Sequence, residues 1–229
     1  MQAISFLNLL WLMIPIMIVF LLYMRWVADK TTLPLALVRM FLQLIMIGYL
    51  LTYIFEASSP YLVMLILSFM LIAASMISLR PLQKKEASLY RYALIAIFLG
   101  GGFTLFLIMI AVLEVQLWYE PKLLVPLAGM TFAASMNAVS IAAERFESER
   151  SCENSYESAR AQALKAALIP IVNALFAVGL VSLPGMMTGQ ILSGVDPLIA
   201  VRYQMMVMVM ILSSAGLSVA VYLRLLKKV

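Results

Sequence analysis

Long apolar stretches separated by short charged segments dominate the pattern of hydrophobic and polar positions along this chain. A membrane-spanning helix needs roughly 20 apolar residues, because lipid offers no hydrogen-bond partners and the helix must satisfy its own backbone groups. The pattern therefore predicts an all-α, polytopic transmembrane helical bundle of about seven spans in a single domain over residues 1–229. The stretches lie at approximately 4–24, 33–54, 61–79, 92–113, 123–143, 166–187 and 198–223.

The basic residues collect in alternate connections, and this asymmetry predicts the orientation. Positive charge marks the cytoplasmic side of a membrane protein, so we expect the N-terminus outside and the C-terminus inside. Since Arg25 follows the first stretch and no basic residue precedes it, that stretch is predicted as a retained helix and not a cleaved signal peptide. Thirteen of the 16 basic residues share the predicted cytoplasmic side: Arg25, Lys30, Arg80, Lys84, Lys85, Arg91, Arg145, Arg150, Arg160, Lys165, Arg224, Lys227 and Lys228.

The composition excludes several classes of protein. At 65% hydrophobic and 12% charged residues, the chain is too apolar for an ordinary soluble domain. It has no histidine, and its one cysteine, Cys152, permits no disulfide framework. The net charge of +5 comes from basic residues at predicted helix ends without interleaved aromatics, which indicates topology determinants and not a nucleic-acid surface.

Two segments depart from plain spanning helices. Residues 144–165 mix both signs of charge and then become alanine-rich, which predicts a cytoplasmic segment with a short helix at Tyr156–Lys165. Residues 182–194 contain one proline and three glycines in an otherwise apolar run. A broken helix at membrane depth is tolerated only where it is buried or lines an aqueous cavity, so this segment is a permeation-pathway candidate. The alternative is a surface turn that ends the sixth helix.

The Asp196-Pro197 pair predicts where the last span begins. An aspartate can cap the free N–H groups of a helix whose first residue is proline. We expect Asp196 to act as this cap rather than to bind an ion.

Polar residues and methionines inside the predicted spans are the remaining candidates for a translocation pathway. A guanidinium such as Arg39 must face the bundle interior or snorkel to the headgroups. An asparagine such as Asn137 can equally serve helix packing, and Asn173 and Gln204 share that ambiguity. The pathway candidates are Arg39, Gln43, Met130, Asn137, Asn173, Pro184, Gly185, Met186, Met187, Gly189 and Gln190.

The 18 methionines raise a soft-metal hypothesis, because thioethers suit Cu(I) better than hard ions. Methionine is also a common filler of irregular apolar space, and the sequence favours that interpretation over metal binding. No GxxxxGK[ST] loop occurs, so any ATP-driven role requires another subunit.

Three stretches together resemble a known family: VRMFLQLIMIGYLLTYIF from Val38, PLAGMTFAASMNAVSIAAERF from Pro126, and AALIPIVNALFAVGLVSLPGMMTGQILSGVDPLIAVRYQMMVMVMI from Ala166. They are similar to the Fet-type ABC transporter permeases, which include the bacterial iron-export permease and plant aluminium-tolerance membrane subunits. The chain departs from the family pattern at Ala134-Ser135, where a Gly-Asn pair is usual.

The resemblance implies a multi-pass permease of the cell inner membrane that exports iron or a related metal. It implies a translocation subunit and not an enzyme, binding no cofactor directly, with ATP and Mg on a cytoplasmic ABC ATPase partner and a homodimeric permease in the lipid. The expected ATPase-coupling residues are Tyr156, Glu157, Arg160 and Lys165. The alternatives are a stand-alone secondary transporter, for which we find no mid-span carboxylate, and a non-transporting scaffold.

The predicted orientation can be tested with topology reporters. One reporter fused after Val229 and another inserted between Ser151 and Asn154 should both report a cytoplasmic position, because both sites adjoin basic clusters. Alkaline phosphatase and fluorescent-protein fusions measure this directly. A periplasmic signal at either position would contradict the seven-span arrangement.

Overall fold

The structure, a computed structural model, describes residues 5–27, 29–57, 59–82 and 86–227. Lys84, Lys85 and Lys228 of the predicted cytoplasmic side lie outside these residues. The described chain is helical and contains no β-strand, which confirms the all-α prediction. Its helices are α1 (Leu7–Trp26), α2 (Thr32–Ala57), α3 (Pro60–Ser78), α4 (Ala87–Val112), α5 (Pro121–Ser151), α6 (Tyr156–Ala177), α7 (Gly185–Leu192) and α8 (Pro197–Leu226).

Within the described residues, six helices are long and apolar enough to cross a membrane: α1 to α5 and α8. The chain is therefore a polytopic helical bundle, as predicted. The predicted sixth span, 166–187, is wrong as a continuous helix, because α6 begins ten residues earlier at Tyr156 and ends at Ala177. The count of seven spans and the orientation stay predictions.

The chain divides into two compact units, residues 1–57 and 58–229. The single domain expected over 1–229 stays a prediction. In the first unit, Pro15, Ile16 and Val19 of α1 line a small cleft with Leu33 and Leu37 of α2.

Asp29 organises the start of α2 in the first unit. Its carboxylate accepts hydrogen bonds from the hydroxyl of Thr32 and from the backbone amide and hydroxyl of Thr31, both at 2.9 Å. These donors, the Thr32 hydroxyl first, hold the pKa of this exposed carboxyl well below its usual value. Asp29 therefore stays ionised and supplies the negative charge that a helix N-terminus favours.

In the second unit, α5 lies against α3, α4, α6 and α8. Small side chains permit this packing, because they let helix backbones approach closely. The fully buried positions include Ala128 and Ser135 of α5 and Ala215 and Ser218 of α8. These residues form the centre of the second unit.

α4 and α8 approach each other closely at Gly100. α4 contains two π-helical turns, Phe98–Gly102 and Ile108–Val112. A Cβ atom at Gly100 would lie only 2.7 Å from the Cα of Ser218 and closer still to its backbone nitrogen. The Ser218 hydroxyl donates a hydrogen bond to Oγ of Ser135 at 3.0 Å. One glycine and two serines thus join α4, α8 and α5.

The predicted cytoplasmic segment, 144–165, has a different structure from the one expected. α5 continues to Ser151, a short turn follows, and Tyr156–Lys165 is the first part of α6 and not a separate short helix. The Ser155 hydroxyl caps α6 by accepting from the amide of Ser158 at 3.3 Å. The alanines that predicted a short helix favour helix without interruption into the apolar stretch, so α6 runs through both.

The packing at Gly100 yields a stability prediction. Gly100→Ala should destabilise the protein by about 1–3 kcal/mol, because the new Cβ would overlap the backbone of Ser218 and force α4 away from α8. Gly102→Ala is the matched control in the same turn, since its Cβ would meet its nearest neighbour, Phe98, at an ordinary 3.7 Å. Thermal unfolding of the detergent-solubilised variants measures both. Equal midpoints for the two variants would contradict the close approach.

Candidate functional site

A tight turn separates α6 from α7 in the segment that the sequence analysis selected as a pathway candidate. Gly179 has a φ of +81°, a conformation that residues with a Cβ atom rarely adopt. The amides of Val181 and Ser182 donate to the carbonyl of Ala177 at 2.8 and 3.2 Å, which ends α6 there. The interruption is therefore present as a turn that ends α6, with Leu180 and Val181 exposed, as the alternative of a surface turn expected. It precedes Gly185 and Gly189, which are helical residues of α7, and its role in a permeation pathway stays a prediction.

A pocket of about 370 Å³ lies between this turn, α7 and the first half of α8. We call it the methionine pocket, because three of its side chains are thioethers. The face of α8 that lines it repeats at helical spacing, since Val201, Gln204 and Met208 follow one another at three and four residues and Met205 adjoins Gln204. The full lining is Leu175, Val178, Gly179, Leu183, Pro184, Met187, Val201, Gln204, Met205, Met208 and Val209.

Two glutamine side chains near the junction of α7 and α8 carry unsatisfied oxygens. The Oε1 atoms of Gln190 and Gln204 are buried without a hydrogen-bond partner. Gln204 lines the methionine pocket and is only 6% exposed. A buried carbonyl without a partner loses its hydration for no compensating bond, so such atoms require a specific explanation.

The predicted pathway residues separate into those near the methionine pocket and those elsewhere. Pro184 and Met187 line the pocket, whereas Met186, on the same short helix, packs against the hydrophobic core. The remaining predicted residues of this segment, Gly185, Gly189 and Gln190, all lie in α7. α7 packs on α8, so these residues lie beside α8. Their roles as pathway residues stay predictions.

The other predicted pathway residues do not line the methionine pocket. Asn137 of α5 and Asn173 of α6 are exposed, and Met130 is half-buried against the core. Arg39 and Gln43 are exposed side chains of α2 in the first unit. Their roles as pathway residues stay predictions.

Gln204, Met205 and Met208 are absent from the pathway residues predicted from the sequence. The available signal was the helical spacing of Gln204 and Met205 relative to Met208. Only the turn after α6 brings Met187 into the same pocket as these residues.

The Asp196 prediction is confirmed. Its Oδ1 accepts hydrogen bonds from the amides of Leu198 at 2.8 Å and Ile199 at 3.4 Å, and α8 begins at Pro197. Asp196 therefore caps α8.

The model of an uncharacterised protein family, UPF0014, matches residues 6–155 and 150–229, which together cover nearly the whole chain. The chain belongs to the UPF0014 family.

Proteins from distant organisms are similar to the chain over most of its length. A UPF0014 membrane protein of Synechocystis, slr1647, is 36% identical over 79% of this chain and 75% of its own length. The probable iron export permease protein FetB of Escherichia coli is 35% identical over 81% of this chain and 76% of its own. Protein ALUMINUM SENSITIVE 3 of Arabidopsis thaliana is 30% identical over 79% and 70%, respectively. No solved structure matches the chain.

The opposite half of the second unit of this UPF0014 protein carries a second feature, which we call the loop-end cluster: Phe146, Tyr156, Arg160, Leu223 and Lys227. The Tyr156 hydroxyl donates a hydrogen bond to the carbonyl of Leu223 at 2.7 Å, which joins the start of α6 to the end of α8. The Tyr156 ring meets Phe146 edge-on, with centroids 5.8 Å apart. Arg160 and Lys227 each place their charge 5.7 Å from its centre.

The four predicted coupling residues have different environments at this end. Tyr156 is half-buried in the loop-end cluster, so its contacts are internal to the chain. Glu157 and Arg160 form an ion pair one turn apart, and their side chains are 60% and 43% exposed. Lys165 is exposed further along α6. Glu157, Arg160 and Lys165 therefore present charge to the surroundings.

The Oε1 atom of Gln204, which is buried without a partner, yields a second stability prediction. Gln204→Leu should raise the free energy of unfolding by about 1 kcal/mol in the absence of any ligand, because it removes a buried acceptor at nearly constant volume. Thr131→Val is the control, since the buried Thr131 hydroxyl is satisfied by the carbonyl of Leu127 at 2.7 Å and its loss should bring no gain. Thermal unfolding compares the two variants. A destabilised Gln204→Leu variant would show that this amide has a structural partner.

Proposed function

We propose that this chain is the membrane-spanning permease subunit of an ABC transporter that exports iron or a related metal from the cell. ATP is hydrolysed by a separate cytoplasmic subunit, and two copies of the permease in the inner membrane form the translocation unit. We expect the chain itself to hold no ATP in the P-loop manner, because it has no glycine-rich phosphate-binding loop with the required lysine.

The similarity to the E. coli protein named a probable iron export permease carries this proposal, because it covers 81% of the chain at 35% identity. The helix break between α6 and α7 supports it. Interrupted helices in transporters expose free backbone groups at substrate sites. A regular helix offers none of these groups, because its backbone is hydrogen-bonded within the helix.

The ends of α5, α6 and α8 support the proposed position of the ATPase. Phe146 near the end of α5, Tyr156 at the start of α6 and Leu223 near the end of α8 are joined in the loop-end cluster. A movement of the start of α6 would therefore be transmitted to α8 through the hydrogen bond between Tyr156 and Leu223. Such a path is what coupling of ATP hydrolysis to a change between inward-facing and outward-facing states requires.

A secondary transporter driven by an ion gradient is the alternative from another class. Gradient coupling commonly uses a carboxylate within the membrane-spanning part. In the described part of the second unit, the carboxylates lie at helix ends or in connections: Glu86, Glu114, Glu120, Glu144, Glu147, Glu149, Glu153, Glu157 and Asp196. This distribution favours an external energy source.

The decisive experiment measures metal accumulation in inside-out vesicles that contain the permease with its candidate ATPase. We expect accumulation of Fe²⁺ that depends on ATP and on both subunits, and no ATP hydrolysis by the permease alone. A panel of other divalent ions and small organic solutes serves as the specificity control. Accumulation that follows an imposed ion gradient without the ATPase would establish the secondary transporter instead.

The same vesicles test the coupling residues. The double substitution Glu157→Ala with Arg160→Ala should reduce transport while leaving the fold intact, because the two side chains are 60% and 43% exposed and the lost contact of Arg160 with the Tyr156 ring is worth only about 0.5–1 kcal/mol. The exchanged pair, Glu157→Arg with Arg160→Glu, is the matched variant, since it retains an ion pair within α6 but reverses the charges offered to a partner.

Transport and retention of the ATPase on the immobilised permease are measured on one preparation. Loss in both variants supports docking through this surface. Loss in the alanine variant alone assigns the effect to the ion pair within α6. Full transport and full ATPase retention in both would place the coupling surface elsewhere.

A further inference from the structure

The methionine pocket offers a ligand a set of neutral donor atoms, most of which are soft sulfurs. Its lining includes the thioethers of Met187, Met205 and Met208 and the amide of Gln204, and none of its lining residues carries a charge. The remaining lining side chains are aliphatic or glycine. A ligand in this pocket therefore meets sulfur and one amide and no carboxylate.

The donors come from two helices that both line the pocket. On α8, Gln204 and Met208 share one face because they are four residues apart, and Met205 follows Gln204 at the edge of that face, where it is 63% exposed. Met187 lies on α7, which packs on α8 after the turn that ends α6. Donors from two packed helices can enclose an ion, whereas donors in a row on one helix cannot.

The Oε1 atom of Gln204 supplies an independent indication of a ligand. Gln204 is only 6% exposed, and this oxygen is buried without a hydrogen-bond partner. A buried acceptor of this kind gains a partner from a cation or from a donor group that enters the pocket. Gln204 lines the pocket, so a ligand bound there can supply the partner that this oxygen lacks.

The chemistry of these donors selects the class of ion. Thioether sulfur is a soft ligand that suits Cu(I), whereas Mg²⁺, Mn²⁺ and Ca²⁺ require oxygen ligands. A divalent ion would also lose much more hydration energy on entering a site without charge. Within the described residues, no group of three or more His, Cys, Asp or Glu side chains is placed to hold a metal.

We propose that the methionine pocket binds a soft monovalent metal ion of the Cu(I) class, with the sulfurs of Met187, Met205 and Met208 and the Oε1 atom of Gln204 as its neutral ligands. The identity of this ion as transported cargo rests on the proposed function. The binding site itself does not, because it lies within one chain and requires no ATPase.

Titration of the purified full-length chain in detergent with Ag⁺, the redox-stable analogue of Cu(I), tests the site. The exposed thiol of Cys152 would bind silver by itself, so Cys152→Ser is the reference protein. The test variant adds Met187→Leu, Met205→Leu and Met208→Leu, which conserve volume and remove the sulfurs. The control variant instead adds Met64→Leu, Met109→Leu and Met206→Leu, which removes three thioethers that do not line this pocket.

We expect the reference and the control variant to bind one more equivalent of Ag⁺ with high affinity than the test variant does. Gln204→Leu in the reference should bind this ion more weakly while remaining folded. Equal silver binding by the test and control variants would overturn the site. Competition by Fe²⁺ at equal concentration would overturn the assignment to a soft monovalent ion.

The outcome is independent of the vesicle experiment. Absence of silver binding would leave ATP-dependent metal transport possible through another site, whereas absence of ATP-dependent transport would leave the binding result standing. Vesicle transport of Cu(I) by the test and control variants then decides whether the bound ion is cargo.

Discussion

The contact between Gly100 of α4 and the backbone of Ser218 of α8 is the constraint on which the second unit depends. Helices that approach this closely need a position without a Cβ atom, and Gly100 provides it. The neighbouring Gly101 plays a related part, because a Cβ there would lie 3.2 Å from Oγ of Ser135 on α5. The positions of α4, α5 and α8 are therefore fixed together by small residues, and the larger core side chains fill the space that remains.

α8 connects the two features that bear on function. Its first half lines the methionine pocket through Gln204, and its end accepts the Tyr156 hydrogen bond at Leu223. Ser218 lies between Gln204 and Leu223 along α8, so α4 packs on α8 at a point between the pocket and the loop-end cluster. A change at either end of α8 must accommodate this contact, which makes the helix a suitable element for coupling the two.

The buried polar groups of the second unit separate into structural and unexplained ones. Buried hydroxyls such as those of Thr104 and Thr131 donate to the carbonyl four residues earlier in the same helix, at 2.7 Å in both cases. A serine or threonine in an apolar helix can satisfy itself in this way. The Oε1 atom of Gln204 is an acceptor without such a donor. A polar group that the fold leaves unsatisfied is therefore more informative about ligands than one that the fold satisfies.

The sequence by itself determined the membrane class, the helical fold, the start of α8 and the family. These follow from local properties: apolar length, the Asp196 cap beside Pro197, and a long motif that needs no knowledge of contacts. Tertiary structure decided that Tyr156 packs against Phe146 and Leu223, that α6 runs without a break from the charged segment, and that Met187 lines one pocket with Gln204 and Met208. Periodicity assigns residues to one face of one helix, but only packing decides which faces meet. The pocket and the loop-end cluster both join residues distant in sequence, and no local pattern specifies such a pairing.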